Sequence, residues 1–80
     1  MVESAIEKEF IEEIAGLFAV QVSDLSRDTR FIEDLGASSA RMFAVSGVME
    51  ELGGFDVSYS EANGCSTIGD AIDFIKARSA

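Results

Sequence analysis

Residues 31–43, FIEDLGASSARMF, contain the junction between the longest loop that we predict and the helix at the centre of the fold. Ser38 stands where an N-cap residue belongs, because its hydroxyl can accept a hydrogen bond from the backbone N–H of Ala40 or Arg41. Ser39 then falls at the first helical position. The residues alone explain both serines as capping residues. They also leave the second hydroxyl at the positive end of a helix dipole, where a phosphate ester is favoured.

An apolar stripe follows the serine pair and predicts a helix from about Ser39 to Leu52. The spacing of three or four residues between most of its members is typical of one helix face. Gly53 and Gly54 end this helix, since glycine adopts the left-handed cap conformation without a steric cost. The stripe consists of Met42, Val45, Val48, Met49 and Leu52.

Two further long helices are predicted by the same periodicity. Ser4 and Glu7 fit a capping box at the start of the first helix, and Thr67 and Asp70 fit one at the start of the last. The core face of the first consists of Ile6, Phe10, Ile14 and Leu17, and that of the last consists of Ile68, Ala71, Ile72 and Ile75.

Residues 19–37 show no sustained period, and we expect a long, partly ordered loop of functional importance there. A short helical turn is expected around Ser60 to Asn63. These elements predict an all-α fold in a single domain over residues 1–80, a small four-helix bundle with three long helices and one short. The long loop joins helices one and two, and its expected anchors to the core are Val22, Leu25, Phe31, Ile32 and Leu35.

The composition excludes several classes of function. Fifteen acidic against six basic residues give a net charge of −9, which repels a phosphate backbone, so we expect no nucleic-acid partner and attraction to basic protein surfaces. No apolar run approaches the roughly 20 residues that a membrane helix needs, and the acidic opening MVESAIEKEF is unlike a signal peptide. The single cysteine, Cys65, cannot form an internal disulfide, so we expect a cytoplasmic protein.

Intrinsic catalysis is not expected from this set of side chains. The chain has no histidine, so Ser-His and Cys-His nucleophile pairs are excluded, and one cysteine with carboxylates makes a poor zinc site. Cys65 has no neighbouring base to activate it and is better explained as a partly buried structural residue. Met42 and Met49 are expected in the core. Phe43, beside the stripe, either completes the edge of the core or contacts a partner.

The run Asp34-Leu35-Gly36-Ala37-Ser38-Ser39, followed by an amphipathic helix, resembles the motif D-L-G-x-D-S-L of the acyl carrier protein family. The short match alone would be weak. It is joined by FIEDLG at residues 31–36, EELG at residues 50–53 and TIGDAIDFI at residues 67–75, in the same order as in the family. The resemblance covers nearly the whole chain and implies the family's helical fold and a carrier protein that is not itself an enzyme.

By this resemblance, Ser39 takes the place of the serine that receives covalent 4′-phosphopantetheine from coenzyme A. Ser38 replaces the family's aspartate, which helps a magnesium-dependent phosphopantetheinyl transferase to dock, and Ala40 replaces a leucine that packs against partner enzymes. Arg41 is expected to lie close enough to Ser39 to meet the phosphate of the cofactor. The residues expected to decide partner recognition are Ser38, Ala40, Arg41, Phe43 and Glu50.

The charge distribution departs from that of the family's fatty-acid carriers, which usually present an acidic second helix to basic partners. Residues 39–54 hold one base and two acids, a net of −1, whereas residues 1–18 hold one base and five acids, a net of −4. The negative charge is thus concentrated in the first helix and not in the second helix, which the resemblance implies as the docking face. This favours a specialised fatty-acid or polyketide pathway over housekeeping fatty-acid synthesis.

The resemblance implies that acyl groups travel as thioesters on the arm, among acyl-loading, condensing and acyl-transfer enzymes, on a monomeric carrier. Two alternatives stay open at this point. One is an aminoacyl, peptidyl or D-alanyl carrier protein. The other is an unmodified, degenerate carrier fold that serves only as an interaction module.

Overall fold

The computed structural model describes residues 2–79, and it describes side chains for residues 5–78. Within residues 2–79 the chain forms four α-helices and no strand, which confirms the predicted all-α bundle of three long helices and one short. Across the same range no helix combines the length and the apolarity that a bilayer crossing requires. Helix α1 spans Val2–Phe18, α2 spans Ser39–Gly53, α3 spans Tyr59–Asn63 and α4 spans Ile68–Ser79, and the long loop contains a 3-10 turn at Val22–Asp24.

One hydrophobic core lies between the helices and confirms the three predicted stripes. Phe10 and Ile14 of α1 are fully buried, as are Val45 and Met49 of α2. Each such side chain contributes roughly 1.5–3 kcal/mol by leaving water, so these stripes supply most of the attraction between the helices. The other members of the core are Phe31, Met42, Val57, Ala62, Cys65, Ile68, Ala71, Ile72 and Ile75.

The ends of α4 and α2 follow the predicted capping chemistry. The backbone N–H of Thr67 donates to Asp70 Oδ2 at 3.2 Å, and the N–H of Asp70 donates to Thr67 Oγ1 at 3.0 Å, which completes the predicted capping box. Gly54 ends α2 with φ +76°, and its N–H donates to the carbonyl oxygen of Glu50 at 2.9 Å. Local sequence therefore sets both of these ends.

Two helix starts differ from the sequence-based expectation. Helix α1 begins at Val2, two residues before Ser4, so the predicted start at Ser4 is wrong; the side chain of Ser4 lies outside the described residues. Helix α3 begins at Tyr59, one residue earlier than expected, because Ser58 and Glu61 form a capping box that we did not predict.

Three backbone hydrogen bonds join the long loop to the start of α4. The N–H of Phe31 donates to the carbonyl of Ser66 at 3.1 Å, the N–H of Ile68 donates to Thr29 at 3.0 Å, and the N–H of Gly69 donates to Arg27 at 2.9 Å. Phe31 is only 1% exposed and carries the loop into the core. The loop is thus fixed against α4 directly before it reaches the serine pair.

The expected anchors of the loop are only partly correct. Phe31 is buried, and Leu25 and Leu35 pack against the core, as predicted. Val22 and Ile32 are 49% and 55% exposed, so their predicted role as anchors is wrong. Val22 lies in the 3-10 turn on the surface. Ile32 follows the buried Phe31 in a tight turn, where two neighbouring side chains do not both face the core.

Arg27 ties the loop to α1 and α4 by its side chain as well as by its backbone. Its guanidinium contacts Glu7 at 3.2 Å and Asp73 at 2.8 Å, and Lys76 adds a contact to Glu7 at 3.7 Å. Exposed ion pairs of this kind stabilise a fold only weakly. The network therefore adds to the backbone pairing but does not replace it.

We expect Gly69→Ala to destabilise the protein by about 1–3 kcal/mol, because the loop backbone would have to shift by a few tenths of an ångström to make room for a methyl group. A Cβ at Gly69 would lie 3.0 Å from the carbonyl oxygen of Arg27 and 3.1 Å from its Cβ. The matched control is Gly47→Ala in α2, where a Cβ would meet nothing within 4 Å. This substitution should raise the stability, because alanine has a higher helix propensity than glycine. Urea unfolding measures both effects. A Gly69→Ala protein as stable as the parent would show that the loop does not press on α4.

Candidate functional site

A tight turn delivers the chain from the buried Phe31 to the start of α2. The N–H groups of Asp34 and Leu35 both donate to the carbonyl oxygen of Arg30, at 3.0 and 3.2 Å. Gly36 then adopts φ +65°, in the left-handed region that side chains with a Cβ disfavour. This geometry accounts for the leucine-glycine pair of the motif, because Leu35 packs on the core and Gly36 reverses the chain.

Asp34, the first residue of the motif, fastens this turn rather than approaching the serines. Its Oδ2 accepts from the backbone N–H of Arg30 at 2.8 Å, and its Oδ1 accepts from the Arg30 guanidinium at 3.1 Å. The side-chain hydrogen bond from Arg30, followed by the backbone one, lowers the pKa of Asp34 below its ordinary value. Asp34 therefore stays ionised and holds the turn at neutral pH.

The two serines of the motif have different surroundings. Ser38 has the extended conformation of an N-cap residue, φ −83° and ψ 174°, and its Oγ accepts from the backbone N–H of Arg41 at 3.2 Å. This confirms the predicted cap. Ser39 is the first residue of α2 and is exposed, and its hydroxyl has no hydrogen-bond partner among the described residues. Only the hydroxyl of Ser39 is available for chemistry without loss of the cap.

Arg41 points away from Ser39. Its guanidinium donates to the carbonyl oxygen of Leu17 and lies 5.8 Å from the centroid of the Phe18 ring, at the C-terminal end of α1. The expectation that Arg41 meets a phosphate on Ser39 is therefore wrong for this arrangement. Side chains two residues apart lie about 200° apart around a helix, a signal already present in the sequence. The charge instead favours the negative end of the α1 dipole.

Glu50 is also engaged within the fold. Its Oε2 accepts from the backbone N–H of Val57 at 2.9 Å and closes the connector between α2 and α3. Arg41 and Glu50 are thus both held by backbone groups of neighbouring segments, and Glu51 is the remaining charged residue of α2. The roles in partner recognition of Ser38, Ala40, Arg41, Phe43 and Glu50 stay predictions.

An apolar side chain stands on the same side of α2 as Ser39. Phe43 is 68% exposed, and at 100° per residue it lies about 40° around the helix from Ser39. Ile32, in the preceding turn, is the second large apolar side chain exposed in this part of the chain, although we expected it to anchor the loop to the core. The sequence already indicated that Ile32 is exposed, since only one of the two neighbours Phe31 and Ile32 can face the core.

Cys65 contributes no chemistry to this site. It is 7% exposed, and its Sγ lies 3.6 Å from the carbonyl oxygen of Glu61. Burial, together with the nearby carboxylates of Asp70 and Glu61, raises the pKa of the thiol. These facts confirm the prediction of a structural cysteine. Among the described residues, no cluster of three or more possible ligands of the His, Cys, Asp and Glu types could hold a metal ion.

Comparison with known proteins gives a consistent set of relatives. The chain is 36% identical over 55 residues to the acyl carrier protein of Borreliella burgdorferi (strain ZS7), which covers 69% of each chain. It is 36% identical over 59 residues to that of Chlamydia caviae, covering 74% of this chain and 77% of the relative. For the acyl carrier protein of Rickettsia canadensis, the identity is 36% over 73 residues, covering 91% and 85%. No protein-family model matches the chain.

We expect Arg30→Gln to raise the pKa of Asp34 toward its ordinary value without fully restoring it, because the backbone N–H of residue 30 still donates. The pKa of Asp34 is lower in the folded protein than in the unfolded chain, where it is about 4, so ionised Asp34 stabilises the fold at pH values above about 4. This contribution is lost as the pH falls through the folded pKa. A ¹³C NMR titration of the Asp34 carboxyl group measures the shift. Arg78→Gln, which removes a guanidinium paired with Glu61, is the control and should leave Asp34 unchanged. A pKa that does not respond to Arg30→Gln would contradict the assignment.

Proposed function

This chain belongs to the acyl carrier protein family, and we propose that it carries acyl groups on a 4′-phosphopantetheine arm attached through Ser39 Oγ. The observation that carries this proposal is the difference between the two hydroxyls of the motif. The hydroxyl of Ser38 accepts from the N–H of Arg41, whereas that of Ser39 is exposed and without a hydrogen-bond partner in the described chain. A substituent on Ser39 therefore leaves the cap of α2 intact.

The surroundings of Ser39 suit a phosphodiester. Ser39 begins a helix of 15 residues whose first turn contains no acidic residue. The first N–H groups of a helix have no acceptor within it, and the helix dipole favours a negative charge at this end. When bound, the cofactor supplies a flexible arm whose terminal thiol holds acyl groups as thioesters. The residues of this chain supply the attachment oxygen and fix its position.

The reaction that loads the arm needs groups from another protein. The chain has no histidine to take the proton of the Ser39 hydroxyl, and its cysteine is buried. We therefore assign the base and the magnesium to a phosphopantetheinyl transferase that uses coenzyme A as donor. The carrier itself contributes recognition and positioning, and we propose for it no catalytic step.

The docking face that we propose surrounds Ser39 and is apolar rather than acidic. It contains Ala40, Phe43 and Ile32, because these are the exposed apolar residues next to Ser39 in the helix and in the preceding turn. Burial of an exposed aromatic side chain is a common source of affinity at interfaces. Acyl-loading, condensing and acyl-transfer enzymes of a specialised fatty-acid or polyketide pathway are the proposed partners. A housekeeping enzyme with a basic docking surface would find few carboxylates on this face.

We expect Ser39→Ala to abolish modification and Ser38→Ala to preserve it. Loss of the Ser38 cap should lower the unfolding free energy by about 1 kcal/mol and leave the attachment oxygen in place. The measurement is intact-mass and peptide mass spectrometry after incubation with coenzyme A and a broad-specificity transferase. Modification at Ser38 would overturn the site. An unmodified parent protein under conditions that modify a housekeeping carrier would favour the interaction-module alternative.

We expect Phe43→Ser to lower kcat/KM for the transferase by roughly fivefold or more, because the variant removes an exposed aromatic contact next to Ser39. The melting temperature should be almost unchanged, since the ring is 68% exposed. Val22→Ser is the matched control, as Val22 is 49% exposed and lies in the 3-10 turn of the loop. Equal rates for Phe43→Ser and the parent would show that this ring is outside the transferase interface.

A further inference from the structure

A groove runs between α1 and α2 on a side of the molecule that the proposed attachment site does not use. Its volume is 470 Å³, which is enough for one large apolar side chain. Leu17 and Val48 are half-buried and form its apolar floor, and the small residues Gly16 and Ala44 keep it open. The lining is completed by Glu12 and Glu13.

The two glutamates at the edge of this groove form no ion pair with a basic side chain among the described residues. Both of them, Glu12 and Glu13, are exposed. Glu7, on the other side of α1, is paired with Arg27 and Lys76. Arg41 is the base that contacts α1 at one end of the groove, where its guanidinium binds the carbonyl oxygen of Leu17 and neither glutamate. The groove therefore holds two unpaired carboxylates against one guanidinium and keeps a net negative charge.

The groove and Ser39 lie on different sides of α2. At 100° per residue, Ala44 and Val48 are about 140° and 180° around the helix from Ser39. The contact of the Arg41 guanidinium with the carbonyl oxygen of Leu17 crosses from α2 to α1 at the end of the groove nearer to Ser39. Since Arg41 lies about 200° around α2 from Ser39, an arm on Ser39 starts on the other side of the helix from this contact. The groove is thus a surface separate from the one proposed for modification.

We propose that this groove docks a basic amphipathic segment of another protein, which inserts one apolar side chain over Ala44 and Val48 and places lysine or arginine on Glu12 and Glu13. The charge decides the class of occupant. A second copy of this chain would bring glutamates against glutamates at a net charge of −9 each, and nucleic acid or anionic lipid would be repelled. This inference goes beyond the proposed function and does not require modification of Ser39.

The test uses the unmodified ¹⁵N-labelled protein and a defined probe. The probe is an amphipathic peptide of about 14 residues, made only of leucine and lysine at helical spacing, and its comparison peptide has glutamate in place of lysine. We expect the lysine peptide to shift the amide signals of the groove residues and the glutamate peptide to shift none. The double variant Glu12→Gln/Glu13→Gln should bind the lysine peptide about fivefold to tenfold more weakly.

The matched control for general attraction to an acidic protein is Asp28→Asn/Asp56→Asn. It removes the same charge from two exposed residues outside the groove, so it should weaken binding by less than about twofold. Equal weakening by both double variants would overturn the proposal, because attraction would then be non-specific. Shifts centred on Ser39 and Phe43, or spread over the whole surface, would also overturn it.

Discussion

The pairing of the long loop with the start of α4 is the constraint on which the placement of the serine pair depends. The first amides of a helix have no acceptor within it, and those of Ile68 and Gly69 donate instead to loop carbonyls. The same pairing carries Phe31 into the core and so fixes the turn that follows. A loop of this length would otherwise have few buried contacts. The start of α2, and with it Ser39, is therefore positioned by a helix more than twenty-five residues later in the chain.

Hydrogen bonding then distinguishes the two hydroxyls in the way that their predicted positions, N-cap and first helical residue, suggest. The hydroxyl of Ser38 accepts the hydrogen bond that caps α2, and the carboxylate of Asp34 accepts from the guanidinium of Arg30. Both groups are therefore already bound within the fold when a substituent is placed on Ser39. Two of the three charged residues of α2 are engaged in a similar way, Arg41 by α1 and Glu50 by the connector to α3, and Glu51 is the third. The result is a helix start that favours a phosphate, with the exposed apolar side chains of Ile32 and Phe43 in the same part of the chain. This combination is the basis of the docking face that we propose.

Much of the fold could be predicted because its causes are local. Helical periodicity gave the stripes with Phe10, Ile14 and Ile72, and capping chemistry gave the ends at Ser38, Thr67 and Gly54. Some errors are local, such as the start of α1 and the capping box of Ser58 and Glu61, and the others concern long-range contacts. The direction of Arg41 depends on a carbonyl of α1, and the exposure of Ile32 depends on which neighbour the core accepts. The groove between α1 and α2 follows from how two helices pack, which no single stretch of sequence encodes.

Native-state hydrogen exchange at the N–H groups of Ile68 and Gly69 tests the central constraint most directly. These amides have only the loop carbonyls as partners, so their protection reports the loop and not the helix. If the loop is an integral part of the fold, they exchange with the same free energy and denaturant dependence as the N–H of Ile72 in the middle of α4. Exchange at a much lower free energy, independent of denaturant, would show that the loop opens by itself, and it would contradict the view that α4 positions Ser39.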